Sequence, residues 1–330
     1  MISRSPKPIP WALVLFAGWL LCPGPIRAQA PDAFIDNGSV RVGVSRAYGG
    51  AITWLSLHDG PNLVNNYDKG RQIQQSYYAG ASLRATNQCP AWSPWPWNPI
   101  MVGDCSGVAS PVLTLTHSDT QLYVKSQPML WDRTNQLSQS HIELWIRFHP
   151  TLPRVVVVDN RFTCFRDEGD EWGGPVSLQQ EIPAAYFVTS LHTIQSYTGP
   201  NPWKNDALST IPSVFMWTNF VPSEQWAACV DSSGFGVGIF SPESTAMNAG
   251  RAGNVTTTNT MHSSTMHIAP LVRKAFDRRS TFEYRCFLAV DSLAEIRRGF
   301  QWIHTHPEQV VSSPRQTGKN GDARRTNPEP

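Results

Sequence analysis

A chain of 330 residues, 41% of them hydrophobic, is long enough to bury a large core, as one big β-domain or as two ordinary ones. Its 27 basic side chains nearly balance its 25 acidic ones, and residues 1–30 carry Arg4, Lys7 and Arg27 but no acid, so without them 24 cations face 25 anions. No basic stripe suits a phosphate backbone, which excludes nucleic acid as an expected partner.

In chain order, the first element is a targeting segment. Arg4 and Lys7 precede an apolar run from Trp11 to Cys22 and a small-residue site at Ala28-Gln29-Ala30, the order of a secretory signal peptide over 1–30. The run is too short to span a bilayer comfortably. The expectation is a secreted or periplasmic protein with no stable membrane insertion after cleavage. Val40, Val42 and Val44 then alternate with polar or small residues, as do Leu113 and Leu115 with Thr114 and Thr116, which predicts half-buried strands. The clearest case is "HIELWIRF", with Ile142, Leu144, Ile146 and Phe148 on one face and His141, Glu143, Trp145 and Arg147 on the other. "RVVVVDNRFTCF", "EQWAACVD", "GFGVGIFSP" and "TFEYRCFLAVD" continue the series between Gly, Pro, Asn and Asp clusters. One short C-terminal helix is predicted, where Ser292 and Glu295 form a capping box and Leu293, Ile296, Phe300 and Ile303 share a face. The polar, Gly- and Pro-bearing stretch 312–330 reads as a disordered tail. The fold class is therefore all-β, a large antiparallel β-sandwich occupying 31–311 as a single domain.

Cysteine usage fits export. No Cys-x-x-Cys pair suggests zinc, and neither a metal nor a cofactor is implied. Cys89 and Cys105 are the pair expected to form a disulfide, closing a loop rich in Pro and Trp.

Three segments hold the chemistry-bearing residues. The stretch "NNYDKGRQIQQSYYAG" brings together Asp68, Arg71, Gln74, Gln75, Tyr77 and Tyr78. Read as a strand, it is polar on both faces, so its buried groups need one another or a ligand. Next, "CPAWSPWPWNPIMVGDC" concentrates Trp92, Trp95 and Trp97; indole rings stack on the apolar faces of sugars, and they also cap the ends of sandwiches. Third, "RDEGDEWGGPVSLQQEIPAAYF" carries an acidic run that includes Glu171, read as a solvated loop, and Glu181 between apolar residues. A carboxyl in such surroundings has a raised pKa and can serve as a general acid, or it can be a buried ion-pair partner. His141, Glu143 and Trp145 on one strand face, and Trp131 beside Asp132 and Arg133, are further candidates for sugar contact. His262 and His267 are weaker ones, because two histidines make no metal site without a third ligand.

The opening "FIDNGSVRVGVSRAYGGAITWLSLHDGPNLVNNYDKGRQIQQSYY", the middle "QQEIPAAYF", the phrase "GFGVGIFSP" and the close "YRCFLAVDSLAEIRRGF" together resemble the galactose mutarotase-like superfamily of β-supersandwiches, over nearly the whole chain beyond residue 30. That resemblance implies a twisted antiparallel sandwich whose concave face holds carbohydrate. It spans epimerases, glycoside hydrolases and polysaccharide lyases, among which fold does not choose. The paired-histidine motifs of aldose epimerases are not found here at matching spacing. The expectation is an exported enzyme that cleaves a poly- or oligosaccharide, with hydrolysis slightly preferred over β-elimination. Hydrolysis would use Glu181 and Asp68, with Glu171 or Glu143 in reserve; elimination would use Arg71 with Tyr77, Tyr78 or His141. The alternative is a glycan-binding protein without turnover.

Overall fold

A computed structural model of the chain describes residues 30–80, 97–167, 169–214 and 217–309. Nineteen strands and one α-helix lie among them. The first eight strands are β1 (Ala33–Asp36), β2 (Val40–Ser45), β3 (Ala51–Leu57), β4 (Ile73–Ser76), β5 (Pro99–Ile100), β6 (Val112–His117), β7 (Gln121–Ser126) and β8 (Met129–Leu130). Then come β9 (Ser140–Phe148), β10 (Val155–Cys164), β11 (Leu178–Phe187), β12 (Thr193–Ser196), β13 (Ser209–Ile211) and β14 (Thr218–Phe220). The last are β15 (Trp226–Val230), β16 (Phe235–Phe240), β17 (Ala246–Ala252), β18 (Thr265–Lys274) and β19 (Ser280–Ser292), followed by α1 (Leu293–Thr305).

The strands form two antiparallel sheets. The first runs β1-β2-β3-β4-β11-β18-β17-β14, with β5 joined to β4 and β8 to β5; the second runs β13-β12-β15-β16-β19-β10-β9-β7-β6. Val42, Leu55, Phe187 and Ile268 of the first sheet share a buried core with Leu144, Val158, Ile239 and Leu288 of the second. Each such aliphatic or aromatic side chain contributes about 1.5–3 kcal/mol when fully buried. The strand "HIELWIRF" is β9, with Ile142, Leu144 and Ile146 turned into that core. Leu113 departs from its predicted face. A register shift in β6 between Val112 and Thr114 breaks the period of two and leaves Leu113 exposed, apart from Leu115, which packs on the core.

The helix α1 covers part of the outer face of the second sheet. Ser292 caps it, its hydroxyl accepting the Glu295 N–H at 3.4 Å, as the capping box predicts. Ile296, Phe300 and Ile303 bury themselves against Val157, Trp226 and Phe240. Gly238 of β16 makes that approach possible, because a Cβ there would lie 2.4 Å from the Ile296 side chain. No helix among the described residues is long and apolar enough to cross a membrane. Cys164, Cys229 and Cys286 are buried and free. The expected Cys89–Cys105 bridge depends on Cys89, and the signal-like segment and the tail likewise lie outside the described residues.

A candidate functional site on the outer face of the first sheet

On the outer face of the first sheet a cavity of about 620 Å³ opens over β4, β11, β18 and β17. What builds it is a bulge in β11. Between Glu181 and Ala185 this strand spans four steps while β18 spans three, from Leu271 to Ile268, and β4 likewise meets Glu181 at Ser76 but Ala184 at Gln74. The extra residue falls at Ile182-Pro183, where proline has no N–H to offer a ladder. Glu181, Ala184 and Tyr186 therefore face the cavity while Ile182, Ala185 and Phe187 enter the core.

Glu181 is the central acid. Its side chain is 16% exposed, and burial pushes its carboxyl above the ordinary range, with contacts from Ser76 and Tyr78 pulling it part of the way back. The Tyr78 hydroxyl donates to Glu181 Oε2 at 3.1 Å and accepts from Ser76 Oγ at 3.2 Å. Tyr78 is itself fixed by Gln180, whose Oε1 accepts the Tyr78 N–H at 2.8 Å and whose Nε2 donates to the Tyr78 carbonyl at 2.9 Å. Burial, then the Glu181 charge, drives the Tyr78 hydroxyl well above its usual pKa.

Asp68 and Arg71 reach the cavity from the turn that leads into β4. Arg71 Nε lies 3.4 Å from Asp68 Oδ2, and Arg71 Nη1 donates to the His262 carbonyl at 3.2 Å. Gln74 pins the same turn, donating to the carbonyls of Gly70 and Arg71 at 3.2 and 3.0 Å. Trp131 leans over Gly70, where a Cβ would meet the indole at 3.0 Å. Opposite, Trp217 lies across Gly250, whose missing side chain admits it: a Cβ there would sit 2.9 Å from Trp217 Cα. His267 is buried beneath, its ring 4.6 Å from Trp217 and 4.4 Å from Tyr186. Its Nε2 is 3.8 Å from Glu181 Oε1. Burial pushes this imidazole down to about 3, a backbone contact at Ala185 opposing, so it is neutral at pH 7 and the pair is no ion pair.

The structure thus brings Asp68, Arg71, Gln74, Tyr78, Trp131 and Glu181 together. Other expected site residues go elsewhere. Regular alternation from Ile73 onward turns Gln74, Ser76 and Tyr78 to the cavity and Gln75 and Tyr77 inward; the alternation breaks only before the strand, at Gln72 with φ +75°. Gln75 donates to the Glu143 carbonyl at 3.0 Å and accepts the Tyr77 hydroxyl at 2.5 Å, and Tyr77 packs on Phe162 and Phe276. Trp97 is buried beside Phe162 and Arg166, while Trp92 and Trp95 lie outside the described residues. His141, Glu143 and Trp145 decorate the outer face of the second sheet, across the core from the cavity, because their neighbours Ile142, Leu144 and Ile146 fill that core. There Glu143 accepts the Tyr123 hydroxyl at 2.6 Å, Trp145 packs on Tyr123 at 5.1 Å and His141 on Phe165 at 4.8 Å. Glu171 is exposed in the loop between β10 and β11. In the same loop Asp170 is no solvated acid: it binds the buried Arg166 at 2.6 and 2.7 Å.

Sequence reasoning missed Ser76, Tyr186, Trp217, Asn248 and Arg273, all of which line the cavity. Among the described residues no three His, Cys, Asp or Glu side chains cluster as a metal site would require.

No family model and no curated protein matches the sequence. Solved structures do match. A protein of Escherichia coli K12 described as a candidate aldose 1-epimerase superposes with a TM-score of 0.50 at 12% identity, over 79% of this chain and 98% of its own. A galactose mutarotase-like protein from Lactobacillus casei gives 0.47 at 9% identity over 78% and 99%, and a galactose mutarotase related enzyme from Lactobacillus acidophilus 0.49 at 8% over 79% and 97%. The chain has the galactose mutarotase-like fold.

Proposed function

We propose that the cavity binds a saccharide and that the protein is an exported carbohydrate-active enzyme that hydrolyses a glycosidic bond. One observation carries the reading: two carboxyl groups in unlike surroundings, Glu181 and Asp68, line a single aromatic-flanked cavity. Glu181, its pKa raised by burial, is placed to protonate a leaving oxygen. Asp68, 47% exposed and 3.4 Å from Arg71 Nε, is the second carboxyl of the pair, in the role of base or nucleophile. Trp131 and Trp217 offer faces on which a pyranose can stack. The fold shared with a candidate aldose 1-epimerase supports a sugar ligand, and the signal-like order of residues 1–30 supports export.

Hydrolysis is preferred to elimination because the bases that elimination would use are unsuitable. Tyr78 is held protonated by burial and by Glu181, Tyr77 sits in the core, and His141 is on the far sheet.

The test is incubation with a panel of polysaccharides, reading both reducing ends and the ultraviolet absorbance of unsaturated uronides. Wild type is expected to release reducing ends without that absorbance, and Glu181→Gln to bind the same glycan while losing at least 10²-fold in rate, on the order of general acid catalysis. Unsaturated products would convert the assignment to a lyase. Binding without turnover by wild type would make the protein a lectin.

A further inference from the structure

Resting on the saccharide reading of the cavity, we infer that its ligand carries an anionic substituent, a carboxylate or a sulfate, and that Arg273 with Gln179 forms the subsite that receives it.

Gln179 of β11 lies directly across from Arg273 of β18, and the next cavity-facing pair along the two strands is Glu181 and Leu271. Two residues of strand advance about 7 Å, so the Gln179–Arg273 pair stands roughly one sugar ring from the central acid. Both side chains line the cavity.

The charges differ along its length. At the Asp68 end the cation is already matched, because Arg71 faces Asp68 at 3.4 Å and is tied to the His262 carbonyl. At the other end Arg273 has no carboxylate partner among the described residues. Its Nη2 donates to the Ser177 carbonyl at 2.8 Å, which orients the guanidinium and leaves Nε and Nη1 without a protein acceptor there. The Gln179 amide likewise has no hydrogen-bond partner among the described residues. A planar guanidinium with free donors is matched to a carboxylate or sulfate that accepts two parallel bonds, and a neighbouring amide supplies a further donor.

Matched substrate pairs test this: a uronate-containing oligosaccharide against its carboxyl-reduced form, and a sulfated one against its desulfated form, each with wild type, Arg273→Gln and Arg273→Lys. Wild type is expected to favour the anionic member of one pair by ~10-fold or more in kcat/KM, the size of a charge-assisted hydrogen bond. The pair that shows the preference identifies the anion. Arg273→Gln should abolish the preference through KM with kcat nearly unchanged, and Arg273→Lys should restore part of it. Neutral members turned over as well as anionic ones by wild type, or an Arg273→Gln defect equal on both, overturns the inference and leaves the saccharide assignment standing. Failure of every saccharide to bind wild type overturns both. Wild type alone decides the first point should the variants fold poorly.

Discussion

Glu181 has a hydroxyl chain behind it, Ser76 to Tyr78 to carboxylate, and this chain sets where its activity should be lost. A hydrogen bond donated to a carboxylate favours the ionised form, so Tyr78 holds the Glu181 pKa below the level burial alone would produce. The acid works protonated, so hydrolysis declines as pH rises through its pKa. In Tyr78→Phe the carboxyl loses that donor and the alkaline limb of the kcat/KM profile should move to higher pH, with a stability loss of about 1 kcal/mol. A limb that stays in place or moves to lower pH rules out Glu181 as the titrating acid. Glu181 could be read from the sequence because a carboxylate between apolar residues on a strand demands an explanation. Tyr186, five positions on, could not: simple alternation places it on the opposite face, and only the bulge at Ile182-Pro183 returns it to the cavity.

The elements most legible in the chain are those with one wet face and one dry one. In β9 the apolar period of two is unbroken and burial follows it as far as Ile146, with Phe148 half-buried; α1 announces itself by cap and stripe. β4 is polar on both faces, and its four residues are nonetheless all buried, since one face serves the core through hydrogen bonds among Gln75, Tyr77 and the Glu143 carbonyl. The tight seating of α1 makes a prediction at this scale. Gly238→Ala places a methyl 2.4 Å from Ile296 Cγ2 and 2.9 Å from Phe300 Cε2, and overpacking of this kind costs about 1–3 kcal/mol. The unfolding free energy from denaturant titration should fall by that amount, and the midpoint with it. Saccharide turnover at a temperature where the fold persists should not change, because α1 and the cavity lie on opposite sheets. Equal loss of activity and stability would mean that the two faces are coupled.

At the scale of the molecule, the cavity is a product of strand order, which local sequence does not encode. Residues from Asp68 to Arg273 meet because β4, β11, β18 and β17 are neighbours in the sheet, and the segments that supply Trp217 and Asn248 carry no signal that pairs them with Glu181 before the register is known. The same burial that shapes the site governs how the whole chain responds to acid. His267 and His149 are both buried, and burial depresses their pKa values from 6.5 to about 3 and about 4. A depressed histidine leaves the folded state with fewer bound protons than the unfolded one, so its contribution is fully present above pH 6.5 and is lost as pH falls towards its folded value. Glu181 works in the opposite direction. Raised by burial, it favours the fold below its unfolded value near 4.5 and loses that contribution as pH rises through its folded pKa, which offsets part of the histidine slope. Asp159 and Asp170, lowered by their arginine partners against the burial cost, add a further loss below about 3.8. Stability measured by denaturant titration should therefore drop between pH 6.5 and 4, and His267→Gln, which removes one of the two groups, should flatten that slope while lowering the plateau at pH 7.5. A profile that is level from pH 7 to 4.5 in Glu181→Gln, where the opposing carboxyl is gone, would show that the two imidazoles are hydrated in solution, and the closed arrangement of Trp217 and Tyr186 over His267 would fall with it.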